Sequence, residues 1–455
     1  WDTSQKKVVP AVAESWKVDD KGAKFTFHLR PGLTFHDDSA VTASNFVFAF
    51  DRIARRKNAS ELAYLLRRVK GFDEVNEIGK VDHLEGLKAP DDLTLVIELT
   101  EPDQDFPAVL AHPGLVPLSR DAVANADEFL RNPVGNGPFQ MAQPWDVGGD
   151  IFLEAFNGAP QEPNVDGLRL IPYPEAAASW LDFLEGQLDI SETPAGQIED
   201  AAKNFGDDGF KALMNGYSYG LNIRSKSLKN PKVRRAINFA IDRETIAQVV
   251  YNGVMERPRG IVPPGVPGFQ KDVCQEVCVF APKTASRLVK GLPDDQRKVK
   301  LEFPNEAPHP EVARLVARAL RRAGLDVALD ALKFKDFFDL LQNDGQSMYR
   351  LTWIAEYHSP DAYIGALFES DSPNNHSGFS SDKVDKLLVK ARSEPNKDKR
   401  LKLYAKAELE IMKTTPIVPL GYFTVHWSAQ ENVDGLAVDS TGGFDAVGLT
   451  KTESQ

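Results

Sequence analysis

The stretch between residues 299 and 332 constrains the fold most, because it combines two strands and a helix in a short length of chain. Residues 299–303 are mainly apolar and typical of a strand. A helical pattern follows over residues 311–323 and ends at Gly324, and a second strand is predicted over residues 325–332. A strand, a helix and a strand in this order form a βαβ unit. We therefore expect a parallel or mixed sheet in at least this part of the chain.

Length and charge set the next limits. The chain has 455 residues, enough for at least two domains with cores of their own. Its formal net charge of −12 argues against nucleic acid as the main partner. The sequence contains no apolar run near 18 residues, so we expect no membrane span.

Alternation and capping signals predict the other main elements. Residues 24–30 and 93–99 alternate as strands, and Thr42 caps a helix with an apolar face. Together these predict a small α+β domain that extends to about Pro117. Further along, Asn230 and Pro231 begin an amphipathic helix for which Gly253 is the expected stop.

The two cysteines, Cys274 and Cys278, are close together and have no histidine nearby. A metal site would need more ligands, so we expect none, and we expect no cofactor. A disulfide closing a small loop is favoured over two free thiols, and it would indicate an oxidising compartment.

Residues 348–379 are the stretch most suggestive of function. The first residues alternate as a strand, and an aromatic loop containing proline follows. Arg350 and Glu356 would lie about 20 Å apart in an extended segment, too far to neutralise each other. Such a pair could hold the two ends of a zwitterion such as a short peptide. A core strand with two solvated charges is the alternative interpretation of the same pattern.

One motif suggests an enzyme. Residues Gly216 to Gly220 match the G-x-S-x-G nucleophile elbow of serine hydrolases, and Asp361 and His426 follow in a suitable order. The elbow requires a helix directly after the serine, whereas strand and polar loop follow Ser218 here and the next helix begins at Pro231. A serine hydrolase is therefore kept only as an alternative, and we expect no catalytic residue.

Three stretches in order resemble a known family. They are residues 9–16 with 25–35, residues 233–243 with 263–268, and residues 353–379. Together they resemble the peptide and nickel class (family 5) of extracellular solute-binding proteins of ABC importers, and in particular its oligopeptide-binding branch. The resemblance covers essentially the whole chain.

The resemblance implies an α/β, two-lobed periplasmic-binding-protein-like fold with a hinge, and an extra α+β domain on the first lobe. The extra domain would be residues 1–117. The first lobe proper would be residues 118–222 and 425–455, and the second lobe residues 223–424, with the ligand cleft between the lobes. The opening segment of the family is expected to precede Trp1.

The resemblance also implies site residues. Glu356 takes the place of an aspartate that pairs with the peptide's α-ammonium group, and Arg350 matches an arginine for the peptide's carboxylate. The remaining implied residues form the strand whose backbone pairs with the ligand and the aromatic lining of the cleft: Thr352, Trp353, Ile354, Tyr219 and Phe334. Glu356 is one methylene longer than aspartate, and Gly220 replaces an acidic residue of some relatives.

The function implied is that of a non-enzymatic, extracytoplasmic oligopeptide receptor that delivers its ligand to an ABC permease. We expect a monomer, either free or lipid-anchored. The alternative is the same fold with another small ligand, such as a dipeptide, a nickel chelate, an oligosaccharide or an arginine-like metabolite.

Overall fold

The computed structural model describes residues 1–2, 5–19, 21–343 and 345–452, and these divide into two compact units. The first unit contains Trp1–Glu192, Ser428–Val438 and Phe444–Gln455, and the second contains Thr193–Trp427 and Asp439–Gly443. The chain thus changes unit after residues 192, 427, 438 and 443, whereas the sequence placed the lobe boundaries after residues 222 and 424. The predicted lobe limits, the hinge and the cleft stay predictions.

Eighteen strands are assigned within the described residues. In chain order they are β1 (Ala13–Val18), β2 (Lys24–Leu29), β3 (Leu87–Asp91), β4 (Thr94–Glu98), β5 (Phe139–Met141), β6 (Ile151–Ala155), β7 (Gly167–Leu170), β8 (Ile190–Glu192), β9 (Phe210–Leu221), β10 (Met255–Glu256), β11 (Lys298–Pro304), β12 (Asp326–Leu332), β13 (Met348–Ile354), β14 (Ile417–Ala429), β15 (Val433–Asp434), β16 (Ala437–Val438), β17 (Phe444–Asp445) and β18 (Thr450–Lys451).

The α-helices of the same residues vary from one turn to five. They are α1 (Ala43–Ala54), α2 (Phe106–Leu110), α3 (Ala126–Arg131), α4 (Ala176–Leu184), α5 (Ile198–Phe205), α6 (Pro231–Ala240), α7 (Arg243–Tyr251), α8 (Pro282–Val289), α9 (His309–Arg322), α10 (Phe334–Gln342), α11 (Asp361–Phe368), α12 (Asp382–Ser393) and α13 (Lys397–Thr414).

The first unit contains an antiparallel sheet in the order β1-β2-β4-β3. Phe25, Phe27 and Leu29 point to its buried side because alternate residues of a strand share a face. Helix α1 packs against β3 and β4, and the backbone N–H of Thr42 donates to Asn45 Oδ1 at 2.8 Å in a capping box. The predicted strands and capped helix of this region are therefore confirmed.

The second unit contains a larger mixed sheet with the path β10-β14-β9-β13-β11-β12. Strand β11 is parallel to both β12 and β13, whereas β9 is antiparallel to β13 and β14. Helix α9 connects β11 to β12 and packs on both. The predicted βαβ unit and mixed sheet are confirmed, and they place β13 beside β9.

The predicted helix from Asn230 to Gly253 is two helices. Asn230 caps α6 as expected, by accepting from the backbone N–H of Lys232 at 3.0 Å. The helix ends at Ala240, and Asp242 caps α7 by accepting from the backbone N–H of Thr245 at 3.2 Å. A second N-cap residue in mid-pattern restarts the helix, so continuous apolar spacing alone was misleading.

Cys274 and Cys278 form a disulfide, as predicted. Within the described ranges, no helix is both long and apolar enough to cross a membrane.

Candidate functional site

Strand β13 is paired along one side for its whole length and along the other side only at its start. On one side its residues from Met348 to Ile354 pair with β9, while on the other β11 reaches only Met348 and Tyr349. In the described part of the chain, no strand follows β11 along the rest of this edge. Beyond Tyr349, strand β13 therefore has an open edge, although it lies between β9 and β11 in the strand order.

The register shows which backbone groups face the open edge. The N–H of Ala355 donates to Met214 O at 2.8 Å, and the N–H of Asn222 donates to Ser347 O at 2.8 Å. In an antiparallel pair the bonded residues alternate, so the odd-numbered residues of β13 bond β9 and the even-numbered ones point away. The N–H and C=O groups of Thr352 and Ile354 thus face the open edge and can pair with an added strand.

One face of β9 and β13 carries a half-buried cation. Arg350 lies opposite Tyr219, and its guanidinium carbon is 5.9 Å from the centre of the Tyr217 ring. Burial lowers the pKa of Arg350, although the neighbouring tyrosines oppose the shift. No described carboxylate forms an ion pair with Arg350. An arginine held in this way is a ready partner for a carboxylate from outside the protein.

The surroundings of Arg350 are aromatic. Tyr217 stacks on His309 with ring centres 5.8 Å apart, and its hydroxyl is 3.2 Å from His309 Nδ1. Tyr251 also lies next to Tyr217, with the two ring centres 6.0 Å apart. Burial first, and then the charge of Arg350, lowers the pKa of His309 to about 4. His309 is therefore neutral at neutral pH and leaves Arg350 as the cation of this cluster.

Four buried polar atoms on this face have no hydrogen-bond partner among the described residues. They are Arg350 Nε, Thr352 Oγ1, Asn215 Oδ1 and Tyr219 Oη. The register pairs Asn215 with Ile354 and Tyr219 with Arg350, so all four atoms share one side of the sheet. Leaving such an atom unsatisfied costs about 1–3 kcal/mol. This concentration is expected where a polar ligand completes the hydrogen bonds.

The other predicted site residues occupy different surroundings. Trp353 is on the opposite face, where its Nε1–H donates to Ala362 O at 2.7 Å. Tyr219 is fully buried in the core, on the face that carries Arg350, which lies opposite it in the register. Phe334 begins α10, is 56% exposed and packs on Phe338 with ring centres 4.7 Å apart. Ile354 is also exposed.

Glu356 is half-buried and lies two residues beyond β13, at the start of the loop that leads to α11. A buried ion cluster holds the helix that follows this loop: Arg392 donates to Asp361 at 2.8 Å and to Glu369 at 2.7 Å. Burial lowers the pKa of Arg392, but the two carboxylates outweigh it and the net shift is upward. Helix α11, which follows the loop, is therefore held at both of its ends.

The G-x-S-x-G motif does not form a nucleophile elbow. Ser218 lies within β9 and is paired with Leu351 on one side and Pro419 on the other. His426 pairs with Phe210, eight positions along β9 and thus about 26 Å from Ser218. Asp361 is bound to Arg392. Ser218 and His426 are therefore far apart and Asp361 is paired elsewhere, so the motif is ordinary strand sequence.

There is a steric reason why position 220 is a glycine. A Cβ atom at this position would lie 2.1 Å from Cζ of Tyr349, its cross-strand partner. The Tyr349 ring therefore occupies the space that any side chain at position 220 would need.

Sequence reasoning did not identify Tyr217, Tyr251, His309 and Asn215 as neighbours of Arg350. The alternation of β9 could have indicated Tyr217 and Asn215, which share a face with Tyr219. Tyr251 and His309 come from separate helices, and His309 is 92 residues from Tyr217 in the sequence. Only the folded sheet brings them together.

The mixed sheet with its helices makes this an α/β protein, and the open, polar edge of β13 is its candidate ligand site. The family model for bacterial extracellular solute-binding proteins, family 5 Middle, matches residues 7–375. The chain therefore belongs to this family, which is a family of solute-binding proteins and not of enzymes.

Relatives support the same family. The oligopeptide-binding protein OppA of Bacillus subtilis (strain 168) is 26% identical over 95% of this chain and 82% of its own length. The dipeptide-binding protein of Escherichia coli (strain K12) is 26% identical over 96% and 85%. The solved structure of Burkholderia pseudomallei OppA matches 98% of this chain and 91% of its own with a TM-score of 0.79 and 24% identity, which supports the fold.

Proposed function

We propose that this protein is a non-enzymatic receptor that binds short peptides outside the cytoplasm and delivers them to an ABC permease. The observation that carries the proposal is the open edge of β13, where the backbone of Thr352 and Ile354 lies beside an arginine without a carboxylate partner. The names of the relatives, which bind oligopeptides and dipeptides, support the same ligand class.

The peptide would extend β13 as an added strand. Main-chain hydrogen bonds to Thr352 and Ile354 would supply affinity without selecting side chains. The carboxylate of a short peptide would pair with Arg350, and neutral His309 and the hydroxyl of Thr352 would complete its surroundings. Exposed Phe334 and Ile354 would contact apolar side chains of the ligand.

Glu356 would bind the ammonium group at the other end of the ligand. Its position past the end of β13 places it on the far side of Thr352 and Ile354 from Arg350. Opposite charges at the two ends of a strand would fix the direction of the bound peptide. A charge-assisted hydrogen bond removed from water is worth much more than one on the surface.

The test combines changes in the peptide with changes in the protein. Calorimetric titration would compare a free tripeptide with its N-acetylated and its C-amidated forms, using the unmodified protein, Glu356→Gln and Arg350→Gln. We expect N-acetylation to cost about 2–4 kcal/mol with the unmodified protein and little with Glu356→Gln. C-amidation should lose its effect in Arg350→Gln in the same way.

The pairing of each modification with one variant makes the test specific. Equal losses on acetylation in all three proteins would remove Glu356 from its proposed role. Exposed Glu199→Gln serves as a control of equal charge change.

Another small ligand is the second candidate, because Glu356 is longer than the aspartate of the resembled pattern. Native mass spectrometry of the purified protein distinguishes the two. A ladder of short peptides released from the protein would support the peptide receptor, whereas a single non-peptide mass would replace the ligand class.

A further inference from the structure

Helix α9 carries an exposed row of arginines, which we call the arginine ridge: Arg314, Arg318, Arg321 and Arg322. Their spacing places them along neighbouring rows of one helix surface. Arg321 donates to the backbone oxygen of Val327 at 2.6 Å. Within the ranges the structure describes, none of the four forms an ion pair. Four unneutralised cations in a chain of net charge −12 form a local site for anions.

A cavity of about 400 Å³ adjoins the ridge on the side of α7. Arg318 and Arg322 line one part of the cavity. Its other walls are mainly apolar and include Ile241, Ile246, Phe280, Leu315 and Ala319. Phe280 is 54% exposed here, a large share for a side chain of its size. Asp242 also lines the cavity, but both its oxygens accept from Thr245, at 3.2 Å from N–H and 2.8 Å from the hydroxyl.

The same two arginines line a second cavity, on the β12 side. This one has a volume of about 520 Å³ and is lined by the whole ridge and Leu329. Arg318 and Arg322 therefore stand between an apolar cavity and a strongly cationic one. A ligand that fits both features has an apolar body and an anionic head.

We propose that this surface binds an aliphatic carboxylate, with its chain in the apolar cavity and its carboxylate on Arg318 and Arg322. A volume of 400 Å³ holds on the order of a dozen non-hydrogen atoms at roughly 30 Å³ each, which matches a chain of about ten carbons. Two guanidinium groups suit a carboxylate because each offers paired N–H donors. The site is separate from the peptide site proposed above, since it uses none of the same residues.

Calorimetric titration with decanoate, below its micelle-forming concentration, tests the proposal. We expect binding of one decanoate to the unmodified protein and a loss of roughly tenfold or more in affinity in the double variant Arg318→Gln/Arg322→Gln. Decanol, which has the same chain and no charge, should bind the unmodified protein about as weakly as decanoate binds the double variant. The variant Arg52→Gln/Arg287→Gln makes the same change in charge at other exposed helix positions and should bind decanoate normally.

Two further variants separate this site from its alternatives. Ala319→Leu, at a half-buried position that lines the cavity, fills the cavity and leaves the arginines in place, so it should also weaken decanoate binding. Arg350→Gln should bind decanoate as the unmodified protein does. Binding lost with Arg350→Gln, binding unaffected by the ridge variant, or absence of any binding at millimolar decanoate would each overturn the proposal. Peptide affinity should be equal in the ridge variant and the unmodified protein.

Discussion

Arg350 is a half-buried cation whose Nε–H has no partner within the described chain. It therefore lowers the stability of the folded protein while the site is empty. Burial lowers its pKa, which is the sign of a charge that has lost water without gaining a carboxylate. Sequence analysis identified Arg350 from its place in a strand. It could not show this environment, because the tyrosines and His309 that create it come from three separate elements, β9, α7 and α9.

The variant Arg350→Met should therefore be more stable than the unmodified protein without ligand, by about 1 kcal/mol or more, because an apolar side chain suits this site better than an unpaired charge. Peptide should then stabilise the variant much less. Urea unfolding with and without a tripeptide measures both effects, and Arg52→Met is the exposed control. A less stable variant that still responds fully to peptide would show a structural role for Arg350.

Glu408 is a second buried charge, and it faces the protein backbone. Its Oε1 accepts from the N–H groups of Ile261 at 2.6 Å and Val262 at 3.0 Å. Burial raises its pKa to about 7, despite these two hydrogen bonds. The folded protein therefore holds the Glu408 proton more tightly than the unfolded chain does.

This difference in pKa sets the sign of the pH dependence of the unfolding free energy. The stabilisation that the folded state gains from protonated Glu408 is complete below about pH 4.5 and is lost as the pH rises to about 7, a total of roughly 3 kcal/mol. Glu408→Gln should flatten this part of the pH profile of the unfolding free energy. The control is Glu410→Gln, because hydrogen bonds from Lys413 and Lys383 lower the pKa of Glu410 and give the opposite slope. An unchanged profile in Glu408→Gln would assign the pH dependence to other groups.

At the scale of elements, local periodicity predicted β13, β11, α9 and β12 well, because alternation and helical spacing are properties of short segments. It did not predict that β11 leaves β13 after Tyr349, since that divergence depends on pairing between distant strands. The open edge, which makes β13 a candidate site, is thus a property of the sheet and not of the strand.

The edge predicts a contrast between neighbouring proline substitutions. Thr352→Pro removes an N–H that faces the open side, so the fold should persist while peptide affinity falls roughly tenfold for the lost hydrogen bond. Leu351→Pro removes an N–H that bonds β9 and should destabilise the protein by about 3 kcal/mol. Chemical unfolding and peptide titration of both variants measure this contrast. Similar stability in the two would mean that the assigned directions of the N–H groups are reversed.

At the scale of the whole molecule, the chain divides into two compact units. The sequence predicted at least two domains from length alone. Two of the changes of unit, after residues 192 and 427, lie next to short strand β8 and inside long strand β14, where composition gives no signal. Contacts between distant residues define these limits, and a single sequence does not contain them in readable form.

Calorimetry should resolve two unfolding transitions, because each unit contains its own buried ion pair and core. Arg68→Ala breaks the pair with Asp103 in the first unit, where the atoms are 2.8 Å apart, and should lower one transition. Arg392→Ala breaks the cluster with Asp361 in the second unit and should lower the other. Each loss should be about 3–5 kcal/mol. One transition shifted by both variants would show a single cooperative unit.

Gly220 and Tyr349 have a consequence for how proteins of this kind diverge. Since the Tyr349 ring fills the space beside Gly220, a larger residue at position 220 requires that ring to move or to be replaced by a smaller side chain. The two positions should therefore tend to change together along a lineage. Paired substitutions are then expected at two positions that are 129 residues apart in the sequence and are cross-strand neighbours in β9 and β13.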